Sequence, residues 1–339
     1  MPGKRMSERK ILVTGGAGYI GSHIAKKILE EGFSVIVIDN LSTGFIEPIN
    51  ILQKEFNGLE FVRGELSDKM FLEKFFHDHK IDAVMHMAAK IDAAESLRMP
   101  KLYDQENYLN GINLIEAMTV SGVNKLVFSS TAAVYGDPQY VPIDEKHPTN
   151  PLSPYGQTKL DFENYLAKVK NLKYVILRYF NVGGVDIDGS LGKSHLSSED
   201  LIENIIKVAL GDKESLSIFG RDYDTPDGTA IRDFLHVDDI AQAHLLALKQ
   251  LDQLSGQIFN LGSETGFSVQ EIIDKAIAVI GKNIVTKNES RRSGDIAVSV
   301  ASAQKAKDLL GWDPQYSNLE TIIQTDWNWR KARPFGYTD

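Results

Sequence analysis

The stretch VTGGAGYIG, residues 13–21, joins a short β-branched run to an amphipathic segment and places glycines at Gly15, Gly18 and Gly21. In a dinucleotide-binding βαβ unit, the first glycine permits a tight turn and the second lets the backbone approach a pyrophosphate. The third allows close packing of the helix on the strand. The N terminus of the helix would then offer N–H groups and positive potential to the phosphates. Since glycine-rich turns are common, the flanking sequence has to decide between a phosphate site and a plain turn.

An acidic residue supports the nucleotide interpretation. Asp39 ends the second predicted strand, SVIVID, after the helix that follows the glycines. A carboxylate there accepts hydrogen bonds from the adenosine ribose hydroxyls. It would also repel a 2′-phosphate, so NAD is favoured over NADP as the cofactor. The alternative is a surface acid beside an ordinary turn.

The first half of the chain alternates β-branched runs with amphipathic stretches. Its helical segments include residues 19–32, with Ile20, Ile24 and Ile28 at helical spacing, and residues 68–79 and 93–119. The runs predicted as buried parallel strands are KILVTGG, SVIVIDN, LEFVRG, DAVMHMAA, KLVFSS and KYVILRYF. This alternation predicts an α/β fold with a Rossmann-type, doubly wound parallel sheet.

The pattern changes after about residue 180, where Gly, Asp and Ser accumulate and the predicted elements become shorter. FLHVDDIAQAHLLAL and QIFNLGS indicate a return to the first domain with a final strand. We therefore predict an NAD-binding domain formed by residues 1–180 and about 235–265. A smaller α/β substrate-binding lobe would comprise about 181–234 and 266–339.

Composition limits the possible functions. The 339 residues include no cysteine, which excludes disulfides, thiolate metal sites and cysteine nucleophiles. The formal net charge of −9 argues against a general nucleic-acid or membrane-surface binder. The N terminus is basic, but its apolar run is too short for a signal peptide, and no run approaches a membrane span. We expect a cytoplasmic protein that meets anionic ligands through local clusters of positive charge.

PYGQTKL, residues 154–160, sets Tyr155 and Lys159 four positions apart at the start of a predicted helix. Residues with this spacing share one helix face, so the phenol and the ammonium can lie side by side. An isolated pair of this kind is usually a solvated surface pair. Alternatively, the cation lowers the pKa of the phenol and makes it a usable base near neutral pH.

The histidines predict no metal site. His77 and His79 are two positions apart on a predicted helix and so point to different faces, and His86 follows a strand. His236 lies in the packing segment FLHVDD, and we interpret all four as structural.

Taken together, these motifs resemble the extended short-chain dehydrogenase/reductase family, and within it the UDP-glucose 4-epimerases. The resemblance runs from about Lys10 to Asp339, and its order and spacing make it specific. Its motifs are the three glycines, FSSTAAVYG (128–136), SPYGQTK (153–159), RYFN (178–181), TAIRDFLHVDD (229–239), RRSGD (291–295) and a tail with Trp312, Trp327 and Trp329.

The resemblance implies a catalytic role for Tyr155, Lys159 and Thr131. Tyr155 would take the proton of the sugar's 4-hydroxyl while the C4 hydride leaves for NAD+, and Thr131 would position or relay that proton. Lys159 and the bound cofactor would together favour tyrosinate. The 4-keto sugar would turn over and accept hydride on its other face, which inverts C4 without net oxidation.

The resemblance also implies the binding residues. Those for NAD are Gly15, Gly18, Tyr19, Ile20, Gly21, Asp39, Asn40, Glu65, Leu66, Ala88, Ala89, Asn107, Ser129, Tyr155, Lys159 and Tyr179. Those for the UDP-sugar are Thr131, Asn181, Asp200, Leu201, Ser217, Phe219, Arg232, Arg292, Asp295 and Ser299. Within this second set, the arginines would bind the diphosphate, Asp295 the uridine ribose, and Leu201 with SIF (217–219) the uracil. Surface ion pairing is the alternative role for each arginine.

Three positions depart from the family pattern. Glu65 precedes Leu66 where a shorter Asp is usual, and Asp200 precedes Leu201 where Asn is common. Ser299 replaces a tyrosine that is thought to close the sugar pocket, so the resemblance predicts that UDP-GlcNAc and UDP-GalNAc are accepted as well.

Other functions stay open at the level of sequence. A 4,6-dehydratase needs an acid pair after Thr131, where this chain has Ala132 and Ala133. A uronate epimerase or decarboxylase should have a group dedicated to the carboxylate, and none is identified. A non-catalytic NAD(H)-sensing protein on the same fold is a further alternative. The resemblance also suggests a homodimer through the helices around 93–119 and 152–170.

Overall fold

The structure is a computed structural model that describes residues 9–194, 200–292 and 294–337. The basic N-terminal segment up to residue 8 lies outside the described residues. No helix in the described part of the chain is both long enough and apolar enough to cross a membrane.

Thirteen strands occur in the described residues. In chain order they are β1 (Lys10–Thr14), β2 (Ser34–Asp39), β3 (Leu59–Arg63), β4 (Ala83–His86), β5 (Lys125–Thr131), β6 (Lys173–Tyr179), β7 (Asn181–Gly183), β8 (Leu216–Phe219), β9 (Ile231–His236), β10 (Gln257–Leu261), β11 (Gly266–Ser268), β12 (Thr286–Glu289) and β13 (Val298–Ser299).

The helices surround these strands. They are α1 (Tyr19–Glu30), α2 (Ile46–Glu55), α3 (Lys69–Asp78), α4 (Ala93–Arg98), α5 (Pro100–Tyr103), α6 (Asn110–Val120), α7 (Pro154–Leu166), α8 (Leu201–Leu210), α9 (Val237–Lys249), α10 (Val269–Ile280) and α11 (Leu319–Ala332). Two π-helical turns (Asp104–Leu109 and Ala306–Leu310) and a 3₁₀ turn (Ala132–Val134) complete them.

A seven-stranded parallel sheet forms the centre, in the order β10-β6-β5-β4-β1-β2-β3. Both faces of this sheet are covered, and its strands are accordingly rich in β-branched and other apolar residues. Ile11, Leu12 and Val13 of β1, for example, are all buried. The chain leaves β1 toward β2 on one side and returns to β4 on the other. This topological switch point opens a crevice at the carboxyl ends of β1 and β4, where ligands of such sheets bind. The predicted Rossmann-type fold is confirmed.

Residues 93–119 are helical as predicted, except for Met99, but they form several segments rather than one continuous helix. The chain breaks at Met99, whose φ of −129° and ψ of 53° lie outside the helical region. Pro100 explains the break because proline disfavours the α conformation in the residue before it. A π turn over Asp104–Leu109 then leads into α6.

A second sheet lies after β6, with β9 paired to β7, β11 and β13. Helices α8, α10 and α11 enclose a separate apolar cluster that contains Ile202, Ile206, Ile273 and Ile322. The segments predicted to return to the first domain are divided between the two sheets. Strand β9 joins the second sheet, whereas α9 packs on α1 and β10 forms an edge strand of the central sheet. The division into two domains stays a prediction.

Candidate active site

The glycine loop lies at the switch point and has little room for side chains. A Cβ on Gly15, whose φ is +73°, would be 2.6 Å from the amide nitrogen of Ala88, and one on Gly21 would be 2.1 Å from the Gly15 oxygen. Gly18 is the N-cap of α1 and provides no side-chain cap for the first-turn amides of Tyr19 and Ile20. The loop therefore fits the pyrophosphate of a dinucleotide.

Asp39 faces this loop from the end of β2. Its Oδ2 accepts a hydrogen bond of 3.0 Å from the Ala17 amide, and its Oδ1 accepts one of 2.8 Å from the Leu41 amide. Burial raises the pKa of the Asp39 carboxyl, and these amides oppose the rise. Next to it, the Asn40 Nδ2 donates to Glu65 Oε2 over 3.0 Å. The longer acid at position 65 thus has a defined partner.

The loop after β4 forms the opposite wall of the crevice. Ala88 and Ala89 come after Met87, the first residue beyond this strand, and the side chain of Asn107 in the π turn holds the loop in place. The Asn107 amide group accepts from the Lys90 amide at 2.8 Å and donates to the Lys90 oxygen at 2.9 Å. Leu66, which is buried, receives an Asn113 side-chain hydrogen bond on its carbonyl oxygen.

Helix α7 brings the catalytic candidates to β5. Ser153 caps the helix by accepting from the Gly156 amide, and Pro154 occupies its first turn. Lys159 is buried, and its Nζ donates to the Ser129 oxygen of β5 over 2.9 Å. Burial lowers the pKa of Lys159 to about 7. Thr131 lies at the end of the same strand.

Burial raises the pKa of Tyr155, and the hydroxyl of Thr131 opposes the rise by hydrogen bonding. The lowering of the phenol pKa expected from the Tyr155–Lys159 spacing is therefore not a property of this pair alone. The structure brings Tyr155 and Thr131 together and fixes Lys159 one turn further along the same helix face.

A buried ion pair, missed by the sequence analysis, supports this arrangement. Glu163, one turn after Lys159, accepts from Arg178 Nε over 3.0 Å and also bonds the Arg178 Nη2 and the Ser130 hydroxyl. The Arg178 Nη1 donates to the Tyr135 hydroxyl over 2.9 Å. The available signal was the spacing of Tyr155, Lys159 and Glu163, which repeats every four residues along one helix face.

Ser129 and Tyr179, both predicted to contact the cofactor, meet beneath the catalytic candidates. The Ser129 hydroxyl lies 2.8 Å from His244 Nε2 and 2.7 Å from Met87 Sδ. Hydrogen bonding with Ser129 lowers the pKa of Tyr179, but burial outweighs it and raises that pKa overall.

Arg232 and Ser299 are neighbours on the second sheet, where β13 pairs with β9 and the two residues are in register. The Arg232 Nη2 lies 3.8 Å from Asp295 Oδ1, and burial lowers the pKa of the guanidinium. Ser299 is 8% exposed. The side-chain amide of Asn181 on β7 donates to the backbone carbonyl oxygen of Asp233 over 3.1 Å.

The predicted uracil residues lie on β8 and α8. The Arg292 guanidinium lies 3.8 Å from the ring centre of Phe219, and Leu201 packs against the apolar cluster of the second lobe, which includes Ile218. Ser217 is half-buried between two buried residues of β8. Asp200, the second of the three departures from the family pattern, caps α8, where its Oδ1 accepts from the Ile202 amide over 2.9 Å.

A small apolar cluster connects the 3₁₀ turn after Thr131 with the second sheet. Its buried members are Val134, Tyr135, Ile143, Phe180 and Ala301, and Ala132 packs against them. Phe180 precedes Asn181, and Ala301 lies two positions after Ser299. The turn after Thr131 and the strands with the predicted sugar-binding residues thus share one core.

Tyr223 is a second residue that the sequence analysis missed. It is 5% exposed, and its hydroxyl has no hydrogen-bond partner among the described residues. Burial raises the pKa of Tyr223, Asp295 raises it further and Arg232 lowers it, and the Arg291 guanidinium lies 4.1 Å from its ring centre. Its only sequence signal is a position four residues after Phe219.

The structural role of the histidines stays a prediction. His77 is exposed, whereas His86 and His236 are buried. Within residues 9–194, 200–292 and 294–337, no group of three or more histidine, aspartate or glutamate side chains could hold a metal ion.

The chain is similar to known proteins over nearly its whole length. The model of the NAD dependent epimerase/dehydratase family matches residues 11–262. A UDP-glucose 4-epimerase of Halalkalibacterium halodurans is 44% identical over 97% of this chain and 97% of its own.

Two solved structures extend the similarity to three dimensions. The UDP-glucose 4-epimerase of Brucella ovis in complex with NAD has a TM-score of 0.89 and 38% identity, with 97% of this chain and 98% of that chain covered. The UDP-Glc/GlcNAc 4-epimerase of Campylobacter jejuni has a TM-score of 0.84 and 41% identity, with 96% and 99% covered. The chain therefore belongs to the NAD dependent epimerase/dehydratase family.

Proposed function

We propose that this protein is a UDP-glucose 4-epimerase that interconverts UDP-glucose and UDP-galactose with tightly bound NAD. The observation that carries the proposal is the face of α7 turned to β5, where Tyr155 meets Thr131 and Lys159 is fixed on Ser129. In the central sheet β5 is next to β4, one of the two strands that border the switch-point crevice, so this face would lie beside the glycine loop and Asp39. Identities of 40–44% to curated UDP-glucose 4-epimerases support the same function.

Residues of the crevice would hold the cofactor. The first-turn amides of α1 would face its pyrophosphate, and Asp39 would accept hydrogen bonds from its adenosine ribose. Lys159 would contact the nicotinamide ribose. When bound, NAD supplies the site that accepts hydride from C4 of the sugar and returns it to the opposite face.

Tyr155 would take the proton of the 4-hydroxyl as general base, and Thr131 would hold the same oxygen in place. Burial alone makes the phenol a poorer acid, so tyrosinate needs positive charge nearby. Lys159 lies one helix turn away and is held by the Ser129 oxygen, which limits where its ammonium can go. Tyr155 would later return the proton to the C4 oxygen.

Residues of the second lobe would bind the UDP group. Arg232 and Arg292 would pair with the diphosphate, since guanidinium forks suit phosphate oxygens. Asp295 would accept from the uridine ribose, and Leu201 and Phe219 would enclose the uracil. The ring stacking of Arg292 on Phe219 would keep that guanidinium directed at the nucleotide.

The proposal includes N-acetylated sugars. Ser299 has a short side chain beside Arg232, where a sugar attached to the diphosphate would turn over. The Campylobacter jejuni relative is described as a UDP-Glc/GlcNAc 4-epimerase. We therefore include UDP-GlcNAc and UDP-GalNAc in the substrate range.

Purified protein tests the function directly. It should release NAD on denaturation and interconvert UDP-glucose and UDP-galactose without added cofactor. Protein heated to inactivation is the control for chemical conversion. Protein that contains NAD and binds UDP but converts neither sugar in either direction would contradict the epimerase assignment.

We further propose a homodimer through the helices around residues 93–119 and 152–170. Exposed apolar side chains on these segments, among them Leu97, Met99, Leu109 and Leu152, support an interface there. Light scattering on protein eluting from a size-exclusion column would measure its mass, and a monomer at micromolar concentration would contradict the dimer.

We also propose a cytoplasmic location, which cell fractionation tests.

A further inference from the structure

One lysine is buried between two carboxylates at the start of α8. The side chain of Lys193 is 2% exposed, and its Nζ lies 3.2 Å from Asp200 Oδ2 and 3.1 Å from Asp326 Oδ2. The same ammonium lies 5.6 Å from the ring centre of Tyr19, in the first turn of α1. We call Lys193, Asp200 and Asp326 the Lys193 cluster.

Each carboxylate of the cluster also accepts a hydrogen bond from a backbone amide. Asp200 caps α8 through its Oδ1, directly before Leu201. Asp326 Oδ2 accepts from the Gly184 amide over 3.0 Å, and the Gly184 oxygen in turn accepts from the Tyr19 hydroxyl. The cluster therefore connects the beginning of α8 to the beginning of α1, the helix that follows the glycine loop.

The Lys193 ammonium is a counter-charge that both carboxylates share. Burial raises the pKa of Asp326 to about 6 even with Lys193 beside it, and its Oδ1 has no hydrogen-bond partner in the described part of the chain. Asp200 raises the pKa of Asp326 further as a like charge. The other titratable groups facing the cluster are Tyr19, His23, Glu203, His236 and Asp238.

We propose that Lys193 is a positioning residue for the nucleotide, which holds Asp200, and with it Leu201 and the first turn of α8, at the uracil end of the site. The inference rests on the proposed function for the location of the uracil. It also explains how this chain carries an aspartate next to the nucleotide, since Lys193 balances its charge. Without Lys193, the carboxylates of Asp200 and Asp326 repel each other, and Asp200 turns away from the helix that it caps.

The test is binding of UDP to the NAD-loaded protein, measured by titration calorimetry. Lys193→Met should raise the Kd for UDP at about pH 8 by about tenfold or more, because truncation of one member of a buried charge pair leaves the others uncompensated. A proton can take the place of the missing cation on the carboxylate pair. The ratio of variant Kd to wild-type Kd should therefore fall when both are measured at about pH 6.

Two further variants separate charge from shape. Lys193→Met combined with Asp200→Asn removes one positive and one negative charge and keeps a good N-cap residue, so it should recover most of the lost UDP affinity. Lys275→Met is the matched control, because it breaks an exposed ion pair of 3.4 Å with Glu320 on the same helix as Asp326. It should leave the Kd unchanged.

Two results would overturn the inference. One is a Kd of Lys193→Met equal to that of the wild type, and the other is a loss of affinity that is independent of pH and not recovered by Asp200→Asn. If the single variant fails to fold, the double variant decides, since it should fold and bind UDP. Epimerase activity is not needed for this measurement, so wild-type protein that binds UDP without converting sugars would contradict the proposed function alone.

Discussion

The ammonium of Lys159 lies 2.9 Å from the carbonyl oxygen of Ser129, two residues before Thr131 on the same strand. The lysine is therefore fixed by the strand whose end meets Tyr155. Because the Lys159 ammonium is bonded to a backbone oxygen of β5, it cannot move with the Tyr155 phenol. The distance between the ammonium and the phenol therefore depends on the packing of α7 on β5. Changes to this packing should alter catalysis even where both side chains remain.

Tyr155→Phe should lower turnover by about 10²–10⁴-fold while NAD stays bound, because only the oxygen of the proposed base is removed. The measurement is the rate of conversion of UDP-galactose, together with the NAD content of the purified variant. Tyr165→Phe on the same helix is the control and should keep full activity. If Tyr155→Phe retained more than a tenth of the wild-type rate, Tyr155 would not be the base.

Asp39→Ala should reduce the NAD content of the purified protein and weaken the discrimination against NADP. Hydrogen bonds to a charged group contribute about 1.5–3 kcal/mol each, and the variant loses those to the ribose along with the repulsion of a 2′-phosphate. The Ala17 and Leu41 amides also lose an acceptor, so Asp39→Asn, which keeps one oxygen, is the matched variant. NAD content unchanged in both variants, with no gain in NADP binding, would rule out the role.

Glu163→Gln should destabilise the protein by about 3–5 kcal/mol, because it leaves the Arg178 guanidinium buried without its counter-charge. Both side chains are almost fully buried, at 3% and 5% exposure. Urea unfolding measures the change. Asp252→Asn, which breaks exposed ion pairs with Lys125 and Lys173, is the control and should cost little. Equal effects of the two substitutions would show that the buried pair has no special weight.

The fold was predictable because its signals are local. Strands buried on both faces appear as continuous β-branched runs, and the glycine loop announces the switch point within nine residues of sequence. The break at Met99 had a local signal in Pro100, which the helical periodicity of 93–119 obscured. The π turn that directs Asn107 at Lys90 had none, since periodicity does not distinguish it from an α turn.

The site was predictable only where its residues share an element. Tyr155 and Lys159 are one helix turn apart, so spacing alone places them together. The partners that support them are distant along the chain: Glu163 and Arg178 are 15 positions apart, and Lys193 and Asp326 are 133 apart. Such pairs depend on how the helices pack. No single-sequence pattern contains that information.

His86→Gln should change how stability depends on pH. Burial lowers the pKa of His86 to about 3, from an unfolded value near 6.5, so the unfolded chain binds a proton that the folded chain does not. The stability that neutral His86 contributes is fully present above pH 6.5 and is lost as the pH falls toward 3. The gap in Tm between wild type and variant should therefore narrow between about pH 7.5 and pH 5.5. His77→Gln, at an exposed position, is the control, and a constant gap for His86→Gln would contradict the prediction.

Ser299→Tyr should abolish the conversion of UDP-GlcNAc and UDP-GalNAc while the UDP-glucose and UDP-galactose reaction continues. Ser299 is in register with Arg232, the proposed diphosphate ligand, so in the proposed site its side chain would border the space in which the sugar turns over. A 2-acetamido group exceeds a hydroxyl by several heavy atoms and needs clearance in both orientations of the ring. A packed site does not absorb such a volume without strain, and a tyrosine ring would take up the space that serine leaves.

The assay follows both substrate pairs for wild type and variant, with Ser299→Ala as the control because it changes polarity without adding volume. Ser299→Ala should keep the N-acetylated reaction, whereas Ser299→Tyr should lose it selectively. Because Ser299 is buried beside Arg232, the Kd for UDP must also be measured, to separate a blocked sugar pocket from a displaced arginine. If the Kd for UDP is unchanged and only the reaction of the N-acetylated sugars is lost, the effect is due to the space available for the 2-acetamido group. Wild-type protein inactive on both N-acetylated substrates would refute the role of Ser299.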